Sequence, residues 1–153
     1  MLAFYCEGED IRKFMSFLLN GTAFDRLQFR SGEIMTRAKF TIDGRYNRDY
    51  DGSEDERAYC LWGEIRHNVY DLIKGKKLPS YIKLVLALDE KPLSHLHQNA
   101  QAAFLNIAFE KNKVNFTTGT AQKNFSMDKS LDEAWESMIK KTFTQLGICI
   151  NIQ

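Results

Sequence analysis

Between Leu61 and Leu88 the hydrophobic period of this chain changes abruptly, and that change narrows the folds open to it. Trp62, Ile65, Val69, Leu72 and Ile73 recur at helical spacing and predict a helix with one buried stripe. Lys74-Gly75-Lys76-Lys77 then ends it, with Gly75 suited to the left-handed C-cap and the lysines to the negative end of the helix dipole. Pro79 blocks continuation. Tyr81 to Leu88 is an apolar run of strand length, rich enough to be buried on both faces. Helix, basic turn and buried strand in immediate succession require a sheet for the helix to lie on.

The flanking segments supply candidates for that sheet. Leu2 to Cys6 reads as a strand, and Gly8, Glu9 and Asp10 start a helix whose buried face is Ile11, Phe14, Met15 and Leu18. Asn20-Gly21 stops it. Leu27 and Phe29 alternate with polar neighbours, and Ser31-Gly32 reads as a turn. Ile34, Thr36, Ala38, Phe40 and Ile42 then alternate as one half-buried strand that Asp43-Gly44 ends. Residues 47–57 (NRDYDGSEDER) are charged and short of aliphatics, which predicts an exposed, mobile loop. A brief strand is expected at Ala58 to Leu61. Lys91-Pro92 breaks the central strand, and a short helix is expected from Leu93 to Gln101. Leu105, Ile107 and Phe109 turn back through Lys111-Asn112 to Val114, Phe116 and Thr118, with a third strand at Asn124 to Met127. Ser130 to Glu133 has the form of a capping box. Leu131, Ala134, Trp135, Met138, Ile139, Phe143 and Leu146 continue it as a helix over 130–146, which Gly147 closes.

At 153 residues the chain fits a single domain, 1–153, able to bury a sizeable core. With 44% hydrophobic and 27% charged residues, disorder is not the expected state. The net charge of +1 excludes a global basic field, so any anion site must arise from local clustering. Cys6, Cys60 and Cys149 are scattered and odd in number, against a disulfide framework and for a reducing compartment. The N-terminus turns acidic at once, unlike a secretory signal, and no apolar run is long enough to cross a bilayer. These features predict a cytoplasmic protein with no membrane partner.

The chemistry the sequence offers is sparse. Lys74, Lys76 and Lys77, with Arg66 two turns earlier, can hold phosphate as point charges; a helix end dressed with lysines is the plainer reading. The glycine spacing of a Walker loop is absent. His95 and His97 with Cys60 or His67 lack zinc-site spacing, so no metal and no cofactor is expected. Cys6 and Cys60 have no flagged histidine base, and no G-x-S-x-G is present. The carboxylates from Asp43 to Glu56 miss the EF-hand spacing and suit a solvated loop. Thr117 to Thr120 reads as a ligand-contacting turn or, more plainly, a strand with a bulge. Trp62 and Trp135 lie on helical apolar stripes and belong to the core.

Two resemblances follow. Thr41-Ile-Asp-Gly-Arg45, Trp62-x-x-Ile65-Arg66, Leu72-Ile-Lys-Gly-Lys-Lys77 with Pro79, Thr117-Thr-Gly-Thr120 and the Ala134-Trp135 helix together resemble an uncharacterised family of small proteins from clostridia-like bacteria. That family has no assigned activity, so the likeness implies no site residues. The element order is also similar to one domain of a DNA sliding clamp, built from two strand-helix-strand-strand-strand halves. Residues 1–46 and 58–127 would be those halves, with the last helix an addition. By that resemblance the two helices would line a DNA-facing surface, with Arg12, Lys13, Arg66, His67 and Lys74 as its basic residues.

The expected fold is therefore α+β, an antiparallel sheet with helices on its faces, in clamp-like order. No constellation names a reaction. The expected function is a non-enzymatic binding or scaffold domain that contacts nucleic acid or another protein through basic helix residues. The alternatives are a small enzyme or ligand binder with an unrecognised pocket, and an assembly module that forms a homo-oligomer.

Overall fold

The computed structural model describes residues 1–153. Its strands are β1 (Ala3–Glu7), β2 (Gln28–Met35), β3 (Lys39–Asp43), β4 (Cys60–Leu61), β5 (Tyr81–Ala87), β6 (Ala100–Glu110), β7 (Lys113–Gln122) and β8 (Asn151–Ile152). The helices are α1 (Glu9–Leu19), α2 (Arg48–Asp51), α3 (Trp62–Ile73), α4 (Glu90–Leu96) and α5 (Ser130–Gln145). The strands form one open eight-stranded sheet in the order β3-β2-β5-β6-β7-β1-β8, with β4 on the start of β2. Every pairing is antiparallel, so the fold is α+β.

Alternation sorts the sheet into two unlike faces. Gly32, Leu84, Ile107, Phe116 and Phe4 stand side by side across five strands, and all are buried. One residue along, the matching row is Glu33, Lys83, Ala108, Asn115 and Tyr5, none of them buried. The three long helices cover the first face. Phe14 of α1 and Phe143 of α5 meet Phe4 and Phe116 of the sheet in one aromatic cluster, with Phe14 and Phe116 at 4.8 Å between ring centres. A single core of 28 buried residues runs from Leu2 to Ile148 and draws on both halves of the chain. No helix is long and apolar enough to cross a membrane.

Helix α1 ends at Asn20-Gly21, whose amides both donate to the Ser16 carbonyl, at 2.9 and 3.0 Å, and α3 supplies donors for the carbonyls that follow. Trp62 Nε1 donates to the Leu18 carbonyl at 2.7 Å, and Arg66 Nη1 to the Leu19 carbonyl at 3.4 Å. These are among the last carbonyls of α1, which have no intrahelical donor. The two tryptophans are core residues, as their stripes predict: Trp135 Nε1 donates to the Phe104 carbonyl at 2.8 Å.

Several local expectations are corrected. Ser31-Gly32 does not turn the chain; β2 runs through it, because Gly32 lies against Phe29 and Leu84, where a Cβ would meet both at 3.1 Å. The turn falls instead within Thr36–Ala38, splitting the expected Ile34–Ile42 strand into a β2–β3 hairpin. Asp43-Gly44 is not a turn either, since the chain runs on to bridge Arg45 to Tyr59. Helix α3 is capped by Lys74 in an extended conformation, and Gly75, at φ 143°, is not in the left-handed helical region. Strand β5 is buried throughout only along Ile82, Leu84 and Leu86; on its other face Lys83 is exposed, Tyr81 and Val85 are half-buried, and Ala87 alone is buried. Helix α4 begins earlier than expected and carries Pro92 in its first turn, where a missing N–H leaves no gap. No strand forms at 124–127. The capping box at Ser130 is not made, because its hydroxyl donates to Asp128 at 3.0 Å and Lys129 stands at the cap. Strand β8 pairs with β1 where the sequence predicts no strand.

The charged loop 47–57 is exposed, and it carries the short helix α2, capped by Asn47, whose side chain accepts from the Asp49 amide at 3.2 Å. Its end is pinned. Arg57 donates through both Nη atoms to Glu64 at 2.7 Å and lies 3.9 Å over the Tyr46 ring. Glu64 also accepts from the Leu61 amide at 2.8 Å. The Arg57 bonds foremost, then the Leu61 amide, hold the Glu64 carboxyl below its ordinary 4.5. A depressed folded pKa gives stability that is present above about pH 4.5 and lost as pH falls through the lower folded value. Glu64→Gln is expected to lower the urea midpoint at neutral pH, with the gap from wild type closing on acidification. A gap that stays constant down to acid pH would contradict this role for the carboxylate.

Candidate functional site

The outer side of α1 and the end of α3 border a groove of about 640 Å³. Its floor comes from the helix-bearing face: Ile11 and Met15 of α1, Ile73 of α3, Ile82 of β5 and Phe109 of β6. Three cations stand on its rim, Arg12, Lys74 and Lys111. They come from three separate places in the chain. Arg12 faces outward because Phe14, Leu18 and Leu19 face the core. Lys74 is the C-cap of α3. Lys111 sits at the β6–β7 turn with φ 58°. Leu78, 80% exposed, and Tyr70 extend the apolar surface beyond the floor. Another opening, about 750 Å³, runs along Gly8, Glu9, Arg12, Lys13 and Ser16 on the far side of α1, but only Phe17 is apolar there.

The basic residues expected from the sequence are divided by the structure. Arg12 and Lys74 share the groove. Lys13 points along the far side of α1, with Nζ 3.5 Å from the Gly147 carbonyl. Lys74 lies 3.1 Å from Asp71, but both side chains are more than half exposed and the pair is worth little. Lys76 and Lys77 are exposed in the turn before Pro79, and His67 is exposed on α3. Arg66 is occupied otherwise. Its Nε donates to Asp25 at 2.9 Å, its side chain is only 14% exposed, and it helps cap α1. It is a clasp between helices, not a free cation. Lys111, which the sequence did not single out, joins the groove only because the sheet places the hairpin beside α1. Nothing in its local sequence distinguishes it from the other turn lysines.

A second hollow, about 590 Å³, opens where the segment after α1 meets α4 and α5. Phe24, Leu27, Leu88, Pro92, Trp135 and Met138 line it, with Arg26 and Lys91 at its mouth.

The remaining histidines, cysteines and threonines lie apart or have partners within the protein. His95, His97, Cys60 and His67 form no metal cluster, and no three His, Cys, Asp or Glu side chains come together in one. His97 Nδ1 accepts from the Asn99 amide at 3.0 Å, which puts the proton of the neutral ring on Nε2. Nε2 then donates to Ser130 Oγ at 2.8 Å, and Ser130 donates on to Asp128. A ring held in that tautomer cannot take the serine proton. The Ser130 amide and then its hydroxyl hold the Asp128 carboxyl below its ordinary value. Burial, with Asp10 nearby, pushes the Cys6 thiol up to about 12. Burial, with Glu64 nearby, likewise raises Cys60. Neither thiol is poised as a thiolate nucleophile. Thr117 to Thr120 is straight strand within β7, where Thr118 accepts from the Leu2 amide at 2.9 Å.

With the groove and its cations in view, comparison with known proteins adds one result. A family model described as a family of unknown function, DUF5721, matches residues 17–151. The chain belongs to that family. The DUF5721 match covers α3, the basic turn with Lys74, Lys76 and Lys77, and Lys111; Arg12 and Lys13 lie before it. The description of DUF5721 names no activity, so it assigns a role to none of these residues. No curated protein and no solved structure matches the chain.

Proposed function

We propose that this DUF5721 chain is a non-enzymatic binding domain that holds an acidic partner along the groove between α1 and α3. The observation that carries the reading is the groove itself: an apolar floor rimmed by Arg12, Lys74 and Lys111, three cations far apart in sequence. The partner this chemistry fits best is a protein segment with apolar side chains on one face and carboxylates on the other, the pattern of a helix laid in a groove. Lys76 and Lys77 extend the positive rim toward solvent.

Duplex DNA is the second reading, and one arrangement favours it. Helices α1 and α3 lie side by side on one face of the sheet, clasped by Trp62 and Arg66, and under the sliding-clamp resemblance such a pair would face DNA. A lone domain makes no ring, so that reading requires several copies to assemble. Phosphate contacts alone leave the apolar floor unused, which is why the peptide reading ranks first.

The test titrates the full chain with a labelled acidic amphipathic peptide and with a labelled short DNA duplex, by fluorescence anisotropy, over a salt series. The same samples go through light scattering at several concentrations. Peptide binding that persists at moderate salt, on a monomer, is the expected result. Lys74→Ala, Lys76→Ala and Lys77→Ala combined should weaken it about tenfold or more, with the fold unchanged because all three side chains are exposed. Duplex binding that falls steeply with salt, on a stable oligomer, would replace it with the second reading. Binding of neither probe would overturn both.

A further inference from the structure

The face of the sheet away from the helices carries an arginine arranged unlike the other surface arginines. Strand β2 bulges at Arg30, where its register with β5 shifts between Phe29 and Ser31. The bulge is fixed by the Gly44 amide, which donates to the Arg30 carbonyl at 3.1 Å. The Arg30 guanidinium lies between two rings, with Cζ 4.0 Å from the centre of Tyr59 and 5.3 Å from that of Phe104. Phe104 stands opposite Ala87 and Gly119 on the helix-free face, so only small side chains flank it across the sheet. Arg30 Nε donates to Gln28 Oε1 at 3.0 Å. Gln28 is 6% exposed, and its amide donates in turn to Asp89 at 3.1 Å.

The orientation of this guanidinium is thus set on three sides, two rings and one buried amide. No carboxylate lies within ion-pairing distance of it, and neither Nη group makes a hydrogen bond within the protein. Its Nη atoms are not sealed from solvent either. Arg57 makes the contrast plain: it too stacks on a tyrosine, but both its Nη atoms are taken by Glu64. A guanidinium whose rotamer is already fixed loses little freedom when it pairs, and its free edge presents parallel N–H donors in the geometry of a two-oxygen acceptor.

We propose that Arg30 is the receptor for a small oxyanion ligand, a carboxylate or a phosphate group, on the helix-free face. Tyr59 and Phe104 wall the site. Gln28, through Asp89, is the positioning residue that keeps the free edge of the fork outward. The site lies across the sheet from the α1–α3 groove and does not depend on what that groove holds.

The test follows the Arg30 Nε–Hε signal of the full chain by NMR, with acetate in one titration and inorganic phosphate in another, at fixed ionic strength. A saturable shift of that signal, while Arg45 and Arg48 move only in proportion to the added anion, is the expected result. Saturation by acetate alone assigns a carboxylate, by phosphate alone a phosphate, and by both a general oxyanion site. Arg30→Lys keeps the charge and loses the fork, and should weaken the saturable response about tenfold, read at the Ser31 and Val85 amides. If Arg30 moves like Arg45, or if Arg30→Lys saturates as wild type does, the stacked guanidinium is a packing element and the proposal fails. Should the lysine variant not fold, the wild-type titrations decide alone.

Discussion

Trp62→Ala is expected to remove about 3–5 kcal/mol of stability, enough to unfold a chain of ordinary margin at physiological temperature. Three losses coincide. The side chain is fully buried, so truncation opens a cavity where α3 meets the sheet. Its contact with Phe29, at 5.7 Å between ring centres, disappears. Its Nε1 no longer satisfies the Leu18 carbonyl at the end of α1. Trp62→Phe isolates the last of these: it keeps most of the apolar volume and drops the hydrogen bond, for an expected loss of about 1–2 kcal/mol. The measurement is the denaturant midpoint at unchanged slope, read by the fluorescence of the remaining Trp135. An alanine variant within about 1 kcal/mol of wild type would mean that Trp62 does not join the helices as described.

Gly44→Ala should be nearly as damaging, by a different route. A Cβ at Gly44 would fall 1.9 Å from the Phe29 carbonyl oxygen and 2.8 Å from that of Arg30. Both obstacles are backbone atoms held in the sheet, so no side chain can swing aside. The strand segment beyond β3 must lift off β2, and the Gly44 amide loses its bond to Arg30. The expected loss is about 3 kcal/mol or more. Gly119→Ala is the matched control. Its Cβ meets nothing within 4 Å. It should change stability by less than about 1 kcal/mol, with a gain possible through the lower entropy of the unfolded chain. Equal effects at the two glycines, by thermal or chemical denaturation, would contradict the close packing at Gly44. Because Gly44 also fixes the bulge that presents Arg30, its alanine variant should perturb the Arg30 Nε–Hε signal, whereas the Gly119 variant should not.

These two glycines show where reading the sequence stops. Gly44 reads from the sequence as a turn and is none, while Gly119 reads most plainly as strand and is one, within β7. What separates them is the distance to a neighbouring strand, a quantity set by pairings with residues far away in the chain. The same holds for the basic residues. Arg12 and Arg66 are alike as letters on amphipathic helices. Helix α3 faces Asp25 and the end of α1, so Arg66 is taken up there, while Arg12 looks out over the groove. In the sequence Lys111 shows only as a hairpin turn and Arg30 only as a polar strand neighbour. One acquires its neighbours from a hairpin placed beside α1, the other from a bulge whose flanking rings come from Tyr59 and from β6.

What the sequence determined by itself was the set of elements whose period is local. Helix α3 and helix α5, strand β5, the β6–β7 hairpin at Lys111-Asn112 and the exposed loop 47–57 all follow from spacing along the chain. So does the core placement of both tryptophans, because an apolar stripe at helical spacing must be buried against something. The tertiary structure alone decided that β2 continues through Ser31-Gly32, that β8 closes the far edge, and that the helices gather on one face while Arg30 lies half-buried on the other. The reason is physical. Periodicity is a property of neighbours in sequence, whereas close approach, capping in trans and the pairing of charges depend on which strands and helices the whole chain brings together.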